Sequence, residues 1–341
     1  MGKQININSL TENVKNIARE NGAALVGVAS IDRFDPQPPY YDEPPKGQNP
    51  RDFIPNAKSV ISISQPILNA VVDAPARFAD KEMKRVPPDL KFAYLEMLYD
   101  YTGHKVQDWM LLFIGQMVGQ FLLSKGYDAM IFPTPGLHPF EDVATGMRVD
   151  IGAARNQTEA DILLWEGPNK KWAEIYSPFR FTSGPFSHRH AAVRAGLGEF
   201  GYNNIVLTKE FGARQRFNSI ITDAELVPDP LIDKPICLRD KCLLCFESCI
   251  MDAITMRDDP NVQDYRSVQK VYKDIVFIDT PAKTDPTLCR RRRSRIPDSP
   301  VRGDCLRVCP LPIKSKNLTK RLEKIIENTG FSFKKSKANE E

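Results

Sequence analysis

The sequence predicts an α/β domain followed by a compact cysteine-rich module, and three observations predict it. Apolar segments of helical and strand period alternate as far as about residue 225. All seven cysteines lie beyond that point, at Cys237, Cys242, Cys245, Cys249, Cys289, Cys305 and Cys309. At 341 residues, with 42% apolar and 26% charged residues, the chain is long enough to bury one full core and a smaller one. The division expected is 1–225 for the α/β domain, 226–316 for the module, and 317–341 for a final amphipathic helix with the charged tail KKSKANEE.

Ser9-x-x-Glu12 reads as a capping box opening a helix with Leu10, Val14, Ile17 and Ala18 on one face, and Gly22 falls where a C-cap belongs. ALVGVA (24–29) is a strand. Residues 34–56, rich in Pro, Asp and Tyr, form a long loop, and 60–64 a second strand closed by Pro66. Residues 104–125 form a long apolar helix ending near Gly126, 128–132 a strand, and PTPGLHP (133–139) a turn-rich loop. Helix is expected at 190–195, and strands at 205–208 and 217–222.

The formal charge of +4 is small; it is compatible with an acidic partner or an RNA but signals neither. The start of the chain is polar, without an apolar signal core or twin-Arg pair, which predicts cytoplasmic residence. The apolar run from Trp109 to Leu123 is broken by Gln116 and Gln120 and falls short of the ~20 residues of a membrane span, so a buried helix is expected and no span.

The first four cysteines read C-x4-C-x2-C-x3-C, and the last two read C-x3-C followed by Pro310. An odd count, tight spacing and no signal peptide favour metal over disulfides. The pattern is that of a double iron–sulfur module, in which one Cys of each run crosses to the other cluster. Cys237, Cys242, Cys245 and Cys309 would then hold a [4Fe–4S] cluster, and Cys249, Cys289 and Cys305 a second site. Ile250 replaces the usual proline, and Arg302 stands where a fourth thiolate belongs. The second site is therefore a [3Fe–4S] cluster, or a [4Fe–4S] cluster with a non-cysteine ligand. A plant-type two-iron site and structural zinc are the rival readings. Arg290 to Arg293 are a solvated basic face, a phosphate-binding patch, or a docking site for an acidic electron donor.

The segment HRHAAVRAGLGEFGYNNIVLTKEFGARQRFNSIITDAEL (188–226), with the cysteines after it, resembles the core of corrinoid-dependent reductases, the group of epoxyqueuosine reductase and the reductive dehalogenases. LTENVKNIARENGAALVGVAS (10–30) and NAKSVISIS (56–64) extend the similarity forward. The resemblance implies a nitroreductase-like corrinoid-binding domain, α/β (α+β), fused to a two-cluster ferredoxin-like domain. It also implies a bound cobalamin fed by the clusters, with reduced ferredoxin or flavodoxin as donor and a small molecule or a modified base, as in a tRNA, as substrate. Gly196, Leu197, Gly198 and Gly201 match the family's glycine-rich turn, where a backbone passes close to a cofactor or another strand. His104 falls at the His of a motif ending Asp-Tyr-His in epoxyqueuosine reductase, with Thr102 and Gly103 replacing the Asp and Tyr; Thr182 or Ser183 stands where that enzyme has an acid.

Four histidines are present, and His188 and His190 flank Arg189; either ring can face a pocket while Arg189 binds an anion, or both can serve only the helix N-terminus. Tyr99, Tyr101 and His104 cluster before the long helix, where a tyrosine can donate a proton or simply pack. His138 sits in a Pro/Gly loop that can cover a flat macrocycle or be a plain surface loop. The candidates are thus Tyr101, His104 and Arg189 for catalysis, and Gly196, Gly198, Gly201 and His188 for cofactor binding. The alternative to an enzyme is a non-catalytic iron–sulfur electron-transfer partner.

Overall fold

The computed structural model describes residues 6–35, 49–73, 98–132, 186–239, 242–249, 252–256, 276–277, 281–284 and 304–311. Helix α1, Ile7–Glu20, buries Leu10, Val14 and Ala18. Its N-cap is Asn6, not Ser9: the Asn6 carboxamide accepts from the amides of Asn8 (3.0 Å) and Ser9 (3.4 Å). An asparagine one position before the helix satisfies these orphan amides, so the helix starts earlier than the capping box suggested. Gly22, at φ +106°, ends it as expected.

Four strands form the main sheet: β1 Leu25–Ser30, β2 Ser59–Pro66, β3 Ala129–Ile131 and, late in the chain, Gln215–Thr222 (β6), in the order β1-β2-β6-β3. Every pairing is antiparallel. The alternation of helices and strands therefore yields a mixed α/β architecture rather than parallel crossovers. β2 is buried from Ser59 through Gln65, as befits a central strand covered on both faces. The loop expected over 34–56 contains, in its described part, a short helix at Pro50–Phe53 with a capping box between Asn49 and Asp52.

Helix α2, Val106–Ser124, follows a π-helical stretch at Tyr99–Lys105. Leu111, Ile114, Val118 and Leu122 pack into the core against α1 and the sheet. Asp108, fully buried, takes a two-pronged ion pair from Arg216 of β6 at 2.7 and 3.1 Å, fastening helix to sheet. The opposite face corrects the expectation of a buried helix, since Trp109 is 63% and Phe113 58% exposed. Residues Tyr101–Ser124 are long and apolar enough for a membrane span, but the packed stripe makes this a core helix with one open side.

Helix α3, His188–Arg194, lies on the sheet beside an aromatic cluster of Phe34, Phe53, Phe132 and Phe186. It leads into a small hairpin, β4 Glu199–Phe200 and β5 Val206–Leu207. After β6 the chain returns across the domain. There Asp229 accepts from Lys15 Nζ (2.7 Å) and from the Val28 amide (2.8 Å) before the cysteine region begins. In that region Ile254–Met256 (β7) pairs with Ala282–Thr284 (β8). The helix expected at 318–328 and the charged tail lie outside the described residues.

Candidate metal centre

Cys237, Cys242, Cys245 and Cys309 line one cleft, together with Tyr202, Leu207 and Leu311. The loop carrying the first three is wound tightly by two left-handed residues, Arg239 (φ 53°) and Leu243 (φ 47°). The Cys242 amide donates to the Arg239 carbonyl at 2.9 Å, and a short helix at Leu244–Glu247 presents Cys245. Cys249 follows that helix, and its sulfur accepts from the Ala253 amide at 3.3 Å. Cys305 lies within the helix Asp304–Val308, and Cys309 directly after it. Pro310 cannot continue that helix, which leaves Cys309 at its end.

Burial dominates the electrostatics of this cleft. It pushes the thiols of Cys237 and Cys242 up from their ordinary value, and that of Cys309 up to about 12. The Cys245 thiol rises too, from burial first and then from repulsion by Cys237, Cys305, Cys309 and Cys242. Four mutually repelling sulfurs around a shared apolar space are a donor set that a polycationic group stabilises, because a metal holds thiolates that burial alone would protonate. Among the described residues, no three His, Cys, Asp or Glu side chains converge on a position for a single ion.

Two buried charged side chains from outside the cysteine-bearing segments make contact with them. Glu199 of β4 is wholly buried; its Oε1 accepts from the amides of Ile236 (2.5 Å) and Cys237 (2.7 Å). Its Oε2 accepts from the Phe277 amide (3.2 Å) and from Arg239 (3.3 Å), whose guanidinium lies 4.5 Å from the Phe277 ring centre. Burial raises the Glu199 carboxyl above the usual range, and these donors oppose that rise. Arg214, just before β6, donates to Asn69 (2.9 Å), pairs with Asp73 (3.0 Å), and donates to the Arg307 carbonyl (2.9 Å), two residues before Cys309. Burial lowers the Arg214 guanidinium, and Cys309 and Tyr99 act against that shift.

The remaining sequence-derived candidates are dispersed. Tyr101 is 53% exposed with Lys105 Nζ 4.3 Å above its ring, whereas the buried tyrosine of this stretch is Tyr99, packed in one cluster with Cys309 and Leu306. His104 lies against Tyr99, ring centres 4.8 Å apart. Arg189 spends its guanidinium on the Asn204 carbonyl (2.6 Å) and carboxamide (3.2 Å), and burial lowers its pKa. His188 is buried, with Nδ1 3.1 Å from the Ser219 hydroxyl. At Gly196, Gly198 and Gly201 the place of a Cβ is already taken, by the carbonyls of Pro230 and Leu207 and by Asn203 with the Leu207 side chain. The close approach seen at this turn is chain against chain. Cys289, Arg302, His138, Thr182, Ser183, Ile250 and Arg290 to Arg293 lie outside the described residues.

Glu199 and Arg214 escaped the sequence reading. The signal for Glu199 was a lone carboxylate between the glycines and aromatics of GLGEFGY, a place where an acid is buried only with partners. Arg214 carries no comparable local mark.

No protein-family model matches the sequence. A tetrachloroethene reductive dehalogenase of Desulfitobacterium hafniense is 35% identical over 95 residues, 26% of this chain and 17% of that protein. An epoxyqueuosine reductase of Cyclobacterium marinum is 35% identical over 81 residues, 24% of this chain and 26% of that protein. The chain's matches thus span at most about a quarter of these two relatives. Among solved structures, a reductive dehalogenase described for B12-dependent dehalogenation aligns over 97% of this chain and 37% of its own, at 14% identity and a TM-score of 0.49. The homologues are reductases of both kinds, and they support the resemblance read from the sequence.

Proposed function

We propose that this protein is an iron–sulfur reductase related to epoxyqueuosine reductase and the reductive dehalogenases. The observation that carries the reading is the shared cleft of Cys237, Cys242, Cys245 and Cys309, the four thiols that the spacing assigns to one cluster. The donor set fits a [4Fe–4S] cluster, which supplies single-electron transfer at a potential set by charge, hydrogen bonding and solvent access. The chain's own part is to hold four sulfurs apart, exclude water with Tyr202, Leu207 and Leu311, and fix both legs of the module to the α/β domain. Cys249, Cys289 and Cys305 are assigned to a second cluster, three-iron or four-iron; replacing Arg302 by cysteine would add the missing thiolate.

The finer reading is a nitroreductase-like domain fused to a ferredoxin-like module, with a corrinoid between cluster and substrate. It rests on the relatives alone. At the glycine turn, the Cβ positions of Gly196 and Gly198 face the Pro230 and Leu207 carbonyls, so the turn gives the corrinoid no support of its own. No step is assigned to described residues through it. A reduced ferredoxin or flavodoxin as donor, an organohalide or modified base as substrate, and a cytoplasmic setting complete the proposal.

Anaerobic purification with added cobalamin separates the enzyme from a plain electron carrier. An EPR signal of cobalt(II) without an axial base supports the corrinoid enzyme. Clusters without corrinoid uptake overturn it in favour of the carrier.

A further inference from the structure

The thiol cleft is held from both sides by charges that belong to the α/β domain, and neither charge is a ligand. On one leg, Glu199 gathers the Ile236 and Cys237 amides on a single oxygen and fixes Arg239 with the other. On the other leg, Arg214 grips the Arg307 carbonyl while Asn69 and Asp73 hold Arg214 itself. Both side chains are nearly or wholly inaccessible, Glu199 at 0% and Arg214 at 6%. An apolar residue of similar size would avoid the desolvation cost of each.

We infer that Glu199 and Arg214 are positioning residues of opposite charge, which set the spacing of the Cys237 and Cys309 legs and tune in opposite directions the potential of the cluster they frame. The inference rests on the iron–sulfur reading above. Two physical effects underlie it. A carboxylate that consumes the amides of residues 236 and 237 removes those donors from the sulfur side of the loop and adds a negative charge beside the site. A guanidinium near Cys309 adds a positive one. Negative charge disfavours gaining an electron and positive charge favours it, and a buried site transmits either with little screening. Glu199→Gln preserves the size of the side chain and an oxygen to accept from the loop amides, but it removes the negative charge beside Arg239. Its reduction potential should rise. Arg214→Gln removes a positive charge and should lower it.

The test is redox titration by EPR of the full chain after anaerobic reconstitution with iron and sulfide, together with the rate of iron loss to a chelator. Expected are shifts of opposite sign, each on the order of tenfold in the reduction equilibrium, which is about 59 mV for a one-electron couple. If Arg214→Gln does not accumulate as folded protein, Arg214→Lys replaces it. That variant keeps the charge and loses the Nη2 hydrogen bond to the Arg307 carbonyl, so an unchanged potential with faster iron loss supports the inference. Potentials within error of wild type in Glu199→Gln, or shifts of the same sign in both glutamine variants, overturn it. Wild-type protein that takes up no iron overturns the iron–sulfur reading itself, a different and separately visible result.

Discussion

Three glycine-to-alanine substitutions separate packing from backbone conformation and show what the glycine turn is for. Gly126 sits at φ +85° with nothing within 4 Å of an added Cβ, so Gly126→Ala meets only the left-handed penalty. That penalty is ~1–2 kcal/mol, offset by ~0.4–1 kcal/mol from a less flexible unfolded chain, for a net loss of about 1 kcal/mol. Gly198 has an ordinary φ, but its Cβ would come inside 3.0 Å of the Leu207 carbonyl oxygen, a backbone atom that cannot rotate away. Overpacking of this kind costs ~1–3 kcal/mol, so about 2 kcal/mol is expected. Gly196 combines φ +74° with the same intrusion on the Pro230 carbonyl, and the two effects together give about 3 kcal/mol. Urea unfolding of the metal-free protein, followed by circular dichroism, gives the order Gly126→Ala, Gly198→Ala, Gly196→Ala from mildest to most severe. Equal stability of the metal-free Gly196→Ala, Gly198→Ala and wild-type proteins would refute the reasoning and return the turn to a cofactor.

Asp108→Ala strands the Arg216 guanidinium at the helix–sheet joint, and thermal unfolding should show a loss of ~3–5 kcal/mol for a buried pair, reduced somewhat because Arg216 is partly exposed. Trp109→Gln and Phe113→Gln lie on the open face of α2 and should change stability by no more than about 0.5 kcal/mol. Because burial raises the thiols of Cys237, Cys242, Cys245 and Cys309, they are protonated in the metal-free fold near neutral pH. Iron must displace those protons, so uptake should strengthen as pH rises from 6.5 towards 8.5 (about two units) and should acidify a weakly buffered solution. Uptake that weakens over that range would contradict the sign.

The sequence showed the parts of this protein whose chemistry is local. Cysteine spacing marked Cys237, Cys242, Cys245 and Cys309 as one set, and the structure brings those four to one cleft. Hydrophobic period located α1, β2, α2 and β6 to within a few residues. What stayed hidden depends on contacts distant in sequence. The partners of Glu199 lie 37 to 78 residues away, and Arg214 meets the Arg307 carbonyl across 93. Period alone cannot tell which side of α2 is covered, so Trp109 and Phe113 were expected inside. Nor does a tyrosine-rich stretch reveal which ring turns inward: the π-helical winding at 99–105 buries Tyr99 and leaves Tyr101 in solvent.

The most direct measurement is the iron and sulfide content and EPR spectrum of the anaerobically reconstituted protein, wild type beside Cys309→Ser. The account predicts brown protein with a reducible cluster signal in the wild type, and selective loss or alteration of that signal when Cys309 is replaced. Colourless, iron-free wild-type protein, or a spectrum indifferent to Cys309, would contradict it.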